Sequence, residues 1–259
     1  MPWTALLLAG QRPGPDALAQ AFGQTRKALV EVDGEAMLSR VARTLLDCPE
    51  IDRVVVLAQD AGALVATPGT AWLVTEPRLR FLMSGAGIAT SIAAVAGTAD
   101  APWPLLVTTA DHPLLTPDMV ASLIAGTGAA DIGVGVVEQR VVLGVYPNNR
   151  RTWLRFRGGA WSGANLFALR SETTRAALQM WAGVERDRKS GWRLILKLGP
   201  GLLVGAVLRL LTLDGAVARL GRKLGLVARA VALPQAEAAI DVDKVSDHVL
   251  AEAILKARR

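Results

Sequence analysis

An apolar run, Thr4-Ala5-Leu6-Leu7-Leu8, passes straight into Ala9-Gly10-Gln11-Arg12, and a lone lysine, Lys27, follows within Arg26-Lys27-Ala28-Leu29-Val30. A strand that feeds a Gly/Arg loop, with a cation held a short distance on, presents backbone N–H groups and positive charge in the way a triphosphate requires. A second strand-like run, Leu105-Leu106-Val107-Thr108-Thr109, ends on Ala110-Asp111-His112-Pro113. In open α/β sheets ligands lie beyond the carboxyl ends of the strands, where Asp111 falls. Near the far end, Ile240-Asp241-Val242-Asp243 sets two more acids at an expected strand end before a helical pattern. Alternation would point Asp241 and Asp243 to one side if that stretch is extended. Asp111 with one of them would offer hard oxygen ligands to Mg²⁺, which takes one or two carboxylates plus phosphate oxygens. His112, followed by Pro113, reads as a turn former.

These residues need a scaffold, and the apolar pattern predicts one. Leu6–Leu8, Val54–Leu57 and Leu105–Thr108 are short runs suited to strands buried on both faces. Met37, Leu38, Val41, Ala42, Leu45 and Leu46 recur at helical spacing, with the Asp33-Gly34 turn just before them. Gly87–Ala96 reads as a small-residue helix, and Pro117–Ile124 as another, with Thr116 as N-cap and proline at the first helical position. Strand–helix alternation over residues 4–125 predicts a parallel, doubly wound sheet with right-handed crossovers. Beyond residue 131 the pattern changes. Ile132–Val137, Val141–Val145 and Asn165–Leu169 read as strands of a mixed or antiparallel extension, followed by broken helices over 186–225, a strand over Val227–Leu233 and a helix over Ser246–Lys256.

Hydrophobic residues make up 51% of the 259 and charged residues 20%, a balance that excludes a disordered chain. The single cysteine, Cys48, cannot close an internal disulfide and reads as a core filler, and no Cys/His cluster would hold zinc. Met1-Pro2-Trp3 lacks a basic leader and Leu6–Ala9 is too short for a signal segment, so the expected location is cytoplasmic. The net charge of +6 implies an anionic partner, but the basic residues lack the aromatic interleaving of a nucleic-acid surface, and none is expected. The excess is local: residues 185–230 hold ten Lys/Arg against Glu185, Asp187 and Asp214. Leu198–Leu213, with Pro200 and Arg209 inside it, is too short to span a ~30 Å hydrocarbon core. Trp192, Leu194, Ile195 and Leu198 share one face opposite Arg193 and Lys197, which suits either a helical cap on the core or peripheral contact at the inner membrane face.

The order Leu8-Ala9-Gly10, Lys27-Ala28-Leu29-Val30, Asp33-Gly34, Thr109-Ala110-Asp111-His112-Pro113 and Asp241-Val242-Asp243 resembles the GT-A-like nucleotidyltransferases, above all the MobA-like NTP transferases. The resemblance covers roughly residues 4–125 and 227–257. It implies an α/β fold, GT-A/Rossmann-like, with a mostly parallel mixed sheet flanked by helices: one nucleotidyltransferase domain over 1–259, with a basic helical insertion at 186–225. It implies that Leu8, Ala9, Gly10, Arg12 and Lys27 hold the triphosphate, with Lys27 and Arg12 acting on the transferring phosphoryl group. Gly87 and Ser91, from Ser84-Gly85-Ala86-Gly87-Ile88-Ala89-Thr90-Ser91, would face the nucleobase. Asp111 would bind Mg²⁺ together with Asp243 or Asp241, and Gly163 and Asn165 would read the acceptor.

The implied reaction transfers NMP from an NTP, with a slight lean to CTP, to a phosphorylated or other anionic acceptor, releasing pyrophosphate. The basic apolar insertion admits a lipid-linked acceptor. Two alternatives stand beside it. One is a GT-A glycosyltransferase that uses a nucleotide sugar; the other is a non-catalytic nucleotide-binding or membrane-surface protein. The chain departs from the family pattern at Gln11, where a second glycine is usual, and in the long loop to Lys27, which carries Pro13, Pro15 and Asp16.

Overall fold

The structure is a computed structural model and describes residues 2–11, 14–85, 87–187 and 210–258. The strands are β1 (Trp3–Leu8), β2 (Glu31–Val32), β3 (Glu35–Ala36), β4 (Ile51–Ala58), β5 (Leu79–Met83), β6 (Leu105–Thr109), β7 (Ile132–Glu138), β8 (Leu154–Phe156), β9 (Gly159–Leu169) and β10 (Ala228–Ala232). The helices are α1 (Ala17–Ala21), α2 (Met37–Asp47), α3 (Ala61–Val65), α4 (Pro68–Ala71), α5 (Ile88–Val95), α6 (Pro117–Thr127), α7 (Gln139–Val145), α8 (Arg175–Asp187), α9 (Leu213–Lys223) and α10 (Val245–Ala257).

Eight strands form one sheet in the order β10-β7-β9-β6-β1-β4-β5, with β8 paired to β9. The side made of β5, β4, β1 and β6 is parallel throughout, as the alternation of apolar runs and helices requires. β9 runs antiparallel to both β6 and β7, and β10 pairs parallel to β7, so the extension is mixed. Leu6, Leu7, Val54, Val55, Val56 and Leu106 are fully buried because the sheet is covered on both faces. One face packs against α2, whose Leu38, Val41, Ala42 and Leu45 are inaccessible, and the other against α5 and α8 through Ile92 and Leu178. Cys48 lies buried at the C-terminal end of α2, its thiol 3.1 Å from the Thr44 carbonyl.

Local chemistry sets the ends of the elements. The Thr116 hydroxyl accepts from the Met119 amide at the start of α6, with Pro117 in the first turn. Asp33 (φ 53°) and Gly34 (φ 75°) are both left-handed, as the two-residue turn that joins β2 to β3 demands. Asp16 caps α1 by accepting from the Ala19 amide, which explains the acid in the long loop before Lys27.

Two expectations differ from the structure. Val141–Val145 is not a strand but part of α7, in which Val142 alone is fully buried and Val145 is exposed. The five-residue run Val141-Val142-Leu143-Gly144-Val145 cannot be told from one helical turn by periodicity, and here the burial of Val142 in the core decides. Asp241 and Asp243 follow a 3₁₀ turn, Ala236–Ala239, rather than a strand. Of the 186–225 segment, residues 188–209, with Trp192, Arg193 and Lys197, lie outside the described residues; α9 supplies the helix at its far end. Among the described residues no helix is long and apolar enough to cross a membrane.

Candidate active site

β1 and β6 are parallel neighbours in register Leu8↔Thr109, so the chain leaves both at the same edge of the sheet. Ala110 N–H donates to the Leu8 carbonyl at 2.9 Å and Ala9 N–H to the Leu57 carbonyl at 3.0 Å, which fixes the Ala9-Gly10 loop beside Asp111. Gly10 is there because nothing larger fits without displacement. A Cβ on it would stand 3.0 Å from Gln59 Nε2 and 3.2 Å from Ser84 Oγ. Gln59 Oε1 accepts from the Gln11 amide at 2.9 Å, while Gln11 Oε1 is buried with no partner among the described residues. Arg12 lies outside the described residues.

Lys27 opens the 3₁₀ turn Lys27–Leu29, and the buried Ala28, Leu29 and Val30 anchor that turn in the core. Its ammonium is thereby held over the sheet edge, where Nζ donates to Asp111 Oδ2 at 2.6 Å and also to Asp243 Oδ1. These three residues are 84 and 216 positions apart in sequence. Thr109 Oγ1 donates to the other Asp111 oxygen at 2.5 Å. Burial works against the Lys27 charge, but the two carboxylates outweigh it and hold its pKa above the ordinary lysine value.

Asp241 and Asp243 sit on one loop but take different partners. Val242 between them is fully buried, and its amide donates to the Asp111 carbonyl at 2.8 Å, stitching the loop to the end of β6. Asp243 reaches Lys27. Asp241 accepts from Arg151 Nη2 at 2.5 Å and from Asn165 Nδ2 at 3.1 Å. Burial alone would raise the Asp241 carboxyl, yet the Arg151 guanidinium beside it holds it below the usual carboxylate range. Asn165 adopts φ 48°, a left-handed conformation that is uncommon for residues other than glycine. Gly163 is exposed, with open space where a Cβ would go. His112 is buried between the two clusters. Desolvation pushes its pKa down to about 4 against the pull of Asp111 and Asp241, and the nearby Glu237 carbonyl makes no well-aligned hydrogen bond to either ring nitrogen.

The third part of the site is the segment from Ser84 to Ser91, in which Ala86 lies outside the described residues. Ser91 Oγ accepts from Gly85 N at 2.8 Å and donates to the Gly87 carbonyl at 2.6 Å, so Ser91 braces this loop from within. Gly87 is the N-cap of α5, and the Glu185 carboxylate of α8 accepts from the next two amides, Ile88 at 3.2 Å and Ala89 at 3.1 Å.

Sequence reasoning missed two of these residues. Glu185 was visible only as one of three acids in a basic segment. Arg151 carried a signal: residues 139–171 hold Arg140, Arg150, Arg151, Arg155, Arg157 and Arg170 and no acid at all.

The fold is α/β, a mixed, mostly parallel sheet flanked by helices of the kind found in nucleotidyltransferase structures. Residues 5–198 match the MobA-like NTP transferase domain, and the chain belongs to that family. Among solved structures it is similar to a hypothetical transferase from Thermus thermophilus, at 29% identity and TM-score 0.79 over 96% of this chain and 100% of that one. It also resembles 4-diphosphocytidyl-2C-methyl-D-erythritol synthase from Anaerococcus prevotii, at 11% identity and TM-score 0.58, covering 98% of this chain and 96% of that one. A third neighbour is CMP:2-keto-3-deoxy-manno-octonic acid synthetase complexed with CTP, at 14% identity and TM-score 0.58, over 99% and 100% of the two chains. The last two likenesses show the fold. No curated protein matches the chain.

Proposed function

We propose that this protein transfers NMP from an NTP to an anionic acceptor and releases pyrophosphate, with CTP as the favoured nucleotide. The observation that carries the reading is the meeting of Lys27, Asp111 and Asp243, from three distant parts of the chain, beside the Ala9-Gly10 loop. A charged cluster at the carboxyl edge of an α/β sheet suits a ligand that is itself strongly charged. The cytidylyl chemistry named for two of the structural neighbours supports CTP.

The acceptor oxygen attacks the α-phosphorus in line, and the bond from that phosphorus to the α,β-bridging oxygen breaks. Phosphoryl chemistry of this kind asks a protein for position and charge more than for covalent help. Leu8, Ala9 and Gly10 supply the backbone of the phosphate loop, and Lys27 and Arg12 the positive charge. Gly87 and Ser91 shape the loop that faces the base, and Gly163 and Asn165 line the acceptor side.

Mg²⁺ suits this donor set. Asp111 and Asp243 both bond one ammonium nitrogen, so a single cation is within reach of both. Mg²⁺ takes one or two carboxylates and completes its shell with phosphate oxygens and water. When bound, Mg²⁺ supplies neutralisation of the phosphate charge and polarises the reacting phosphoryl group. Asp111 and Asp243 would hold it, with Lys27 turned to the phosphates.

Pyrophosphate release from each of the four common NTPs, with Mg²⁺ and a panel of phosphate-bearing acceptors, tests the reading. Release that depends on acceptor and falls about a hundredfold or more in Asp111→Asn is expected. Nucleotide-sugar turnover without NTP turnover would replace it with glycosyl transfer. Binding of neither would remove it.

A further inference from the structure

We propose that the amino-terminal edge of the sheet carries a second binding site, and that this site takes an apolar α-amino acid in its zwitterionic form. The proposal stands apart from the transferase reading, because the site lies at the opposite end of the strands from Lys27 and Asp111. Trp3 opens β1 and Leu8 closes it. Five steps at about 3.3 Å each put roughly 17 Å between the two edges.

Several chain segments meet at this edge. Glu50 precedes β4, Pro104 precedes β6 and Arg170 follows β9. Backbone bonds knit the first two to β1: Trp3 N–H donates to the Glu50 carbonyl at 2.7 Å, and Thr4 N–H to the Pro104 carbonyl at 2.9 Å. Beside them lies a cavity of about 480 Å³, whose lining includes Trp3, Pro49, Glu50, Pro104, Ile124 and Arg170. Small-molecule sites have this size, and they join apolar walls to a few polar groups. Trp3 and Pro104 are buried and form the floor, while Pro49 and Arg170 are exposed and stand at the rim.

The two charged groups select the ligand. Glu50 Oε2 is shut off from solvent and has no hydrogen-bond partner among the described residues. A carboxylate oxygen buried without a donor is costly, and an ammonium brought to it recovers that cost. Arg170 does not meet the need, since its Nη1 donates to the Gly128 carbonyl just past α6. The backbones of the two residues are held apart, because β6 and β1 lie between β9 and β4 in the sheet: three strand spacings, or about 14 Å. A negative and a positive group that line one cavity without pairing suit a ligand that carries both charges. A bare amine would be opposed by the guanidinium, and a bare carboxylate by Glu50. Trp3, Pro49, Pro104 and Ile124 add room for an apolar body. An ammonium on Glu50, a carboxylate on Arg170 and a hydrocarbon or aromatic side chain against the indole and the prolines describe leucine, phenylalanine or tryptophan.

The test is calorimetric titration of the full chain with L-leucine, L-phenylalanine and L-tryptophan, with glycine as the control that lacks an apolar body. At least one of the three should bind, with a Kd between roughly 10 µM and 1 mM for a ligand of about a dozen heavy atoms, and glycine should bind at least about tenfold more weakly. For the tightest of them, an analogue without the amino group and one without the carboxylate should each lose about tenfold or more. Glu50→Gln should weaken binding roughly ten- to hundredfold and Arg170→Gln about tenfold. Without ligand, Glu50→Gln should melt no lower than the parent, because the oxygen it replaces has no partner to lose; a lower melting point overturns the unpartnered carboxylate. Silence of all three amino acids would mean that the cavity holds water only, and overturns the proposal. So does binding that survives Glu50→Gln, or an amine-free analogue that binds as well as its parent. Complete displacement by excess Mg²⁺–CTP would put the amino acid at the Lys27 cluster and overturn the assignment to this edge.

Discussion

Replacing Lys27 by alanine should move metal and nucleotide affinity in opposite directions. The ammonium is the counter-ion of Asp111 and Asp243. Two oxygens bonded to one nitrogen stand at most about 6 Å apart, twice a hydrogen-bond length. At that distance their repulsion is about 0.7 kcal/mol in water and roughly 3 kcal/mol at an effective dielectric near 20. Asp243 is 57% exposed, which places the pair near the lower end, at about 1 kcal/mol after solvent screening. A divalent ion entering Lys27→Ala relieves that repulsion and displaces no lysine, so Mg²⁺ or Mn²⁺ alone should bind about fivefold more tightly. The triphosphate loses a charge-assisted partner worth roughly 1.5–3 kcal/mol, so nucleotide should bind ten- to hundredfold more weakly. Calorimetric titration with metal alone and with metal–CTP reads both numbers. The same shift should show in melting, with metal stabilising the variant more than the parent at equal concentration. Metal affinity that stays level or falls in Lys27→Ala would refute the counter-ion account, and unchanged nucleotide affinity would remove Lys27 from the phosphate site.

Two further outcomes test the scaffold. Tyr146 is the sole tyrosine, and burial together with its 2.6 Å hydrogen bond to Glu237 Oε1 raises its pKa above 10. The folded chain therefore keeps a proton that the unfolded chain gives up, so this contribution is present below about pH 10 and is lost as pH rises through the folded value. Tyrosinate absorbance should appear at higher pH in native than in urea-unfolded protein, and a native titration at or below the unfolded one would contradict the Glu237 contact. Gly133→Ala would bring a Cβ within 1.9 Å of Thr127 Oγ1, a buried hydroxyl bonded to the Leu123 carbonyl, so the variant should lose about 1–3 kcal/mol in urea unfolding. Parental stability there would mean that α6 sits farther from β7.

Three strands of the parallel half, β1, β4 and β6, were legible because they are short apolar runs buried on both faces; β5 was not, because only Leu79 in it is buried and Met83 is exposed. β9 was half legible. Asn165–Leu169 carries an apolar pattern, whereas Gly159–Ala164 sets small residues around a lone Trp161 and pairs without an apolar run. Lys27 and Asp111 could be placed because each ends or follows a strong local pattern at the sheet's edge. Arg151 could not, since nothing local separates it from Arg150; its meaning lies in a carboxylate 90 residues away. Glu185 is the same case, because its role depends on amides at the start of α5, 96 and 97 residues back.

That distinction has a physical root in the 240–244 loop. Val242 is fully buried among Val30, Val32, Leu114 and Ile240, and its amide is tied to the Asp111 carbonyl, so the loop is pinned by core packing at its centre. With Val242 as the fixed point, the flanking acids are carried to different partners, Asp243 to Lys27 and Asp241 to Arg151. One apolar side chain thus sets the spacing between two charged clusters that share no ion pair among the described residues. Shortening it, as in Val242→Ala, removes buried methyl groups and loosens the anchor of both at once. A displaced loop should therefore weaken metal–nucleotide binding although no residue of the Lys27 cluster has been changed. Unchanged metal–nucleotide affinity in Val242→Ala would mean that Asp243 is held independently and the loop anchor is not what aligns it with Lys27.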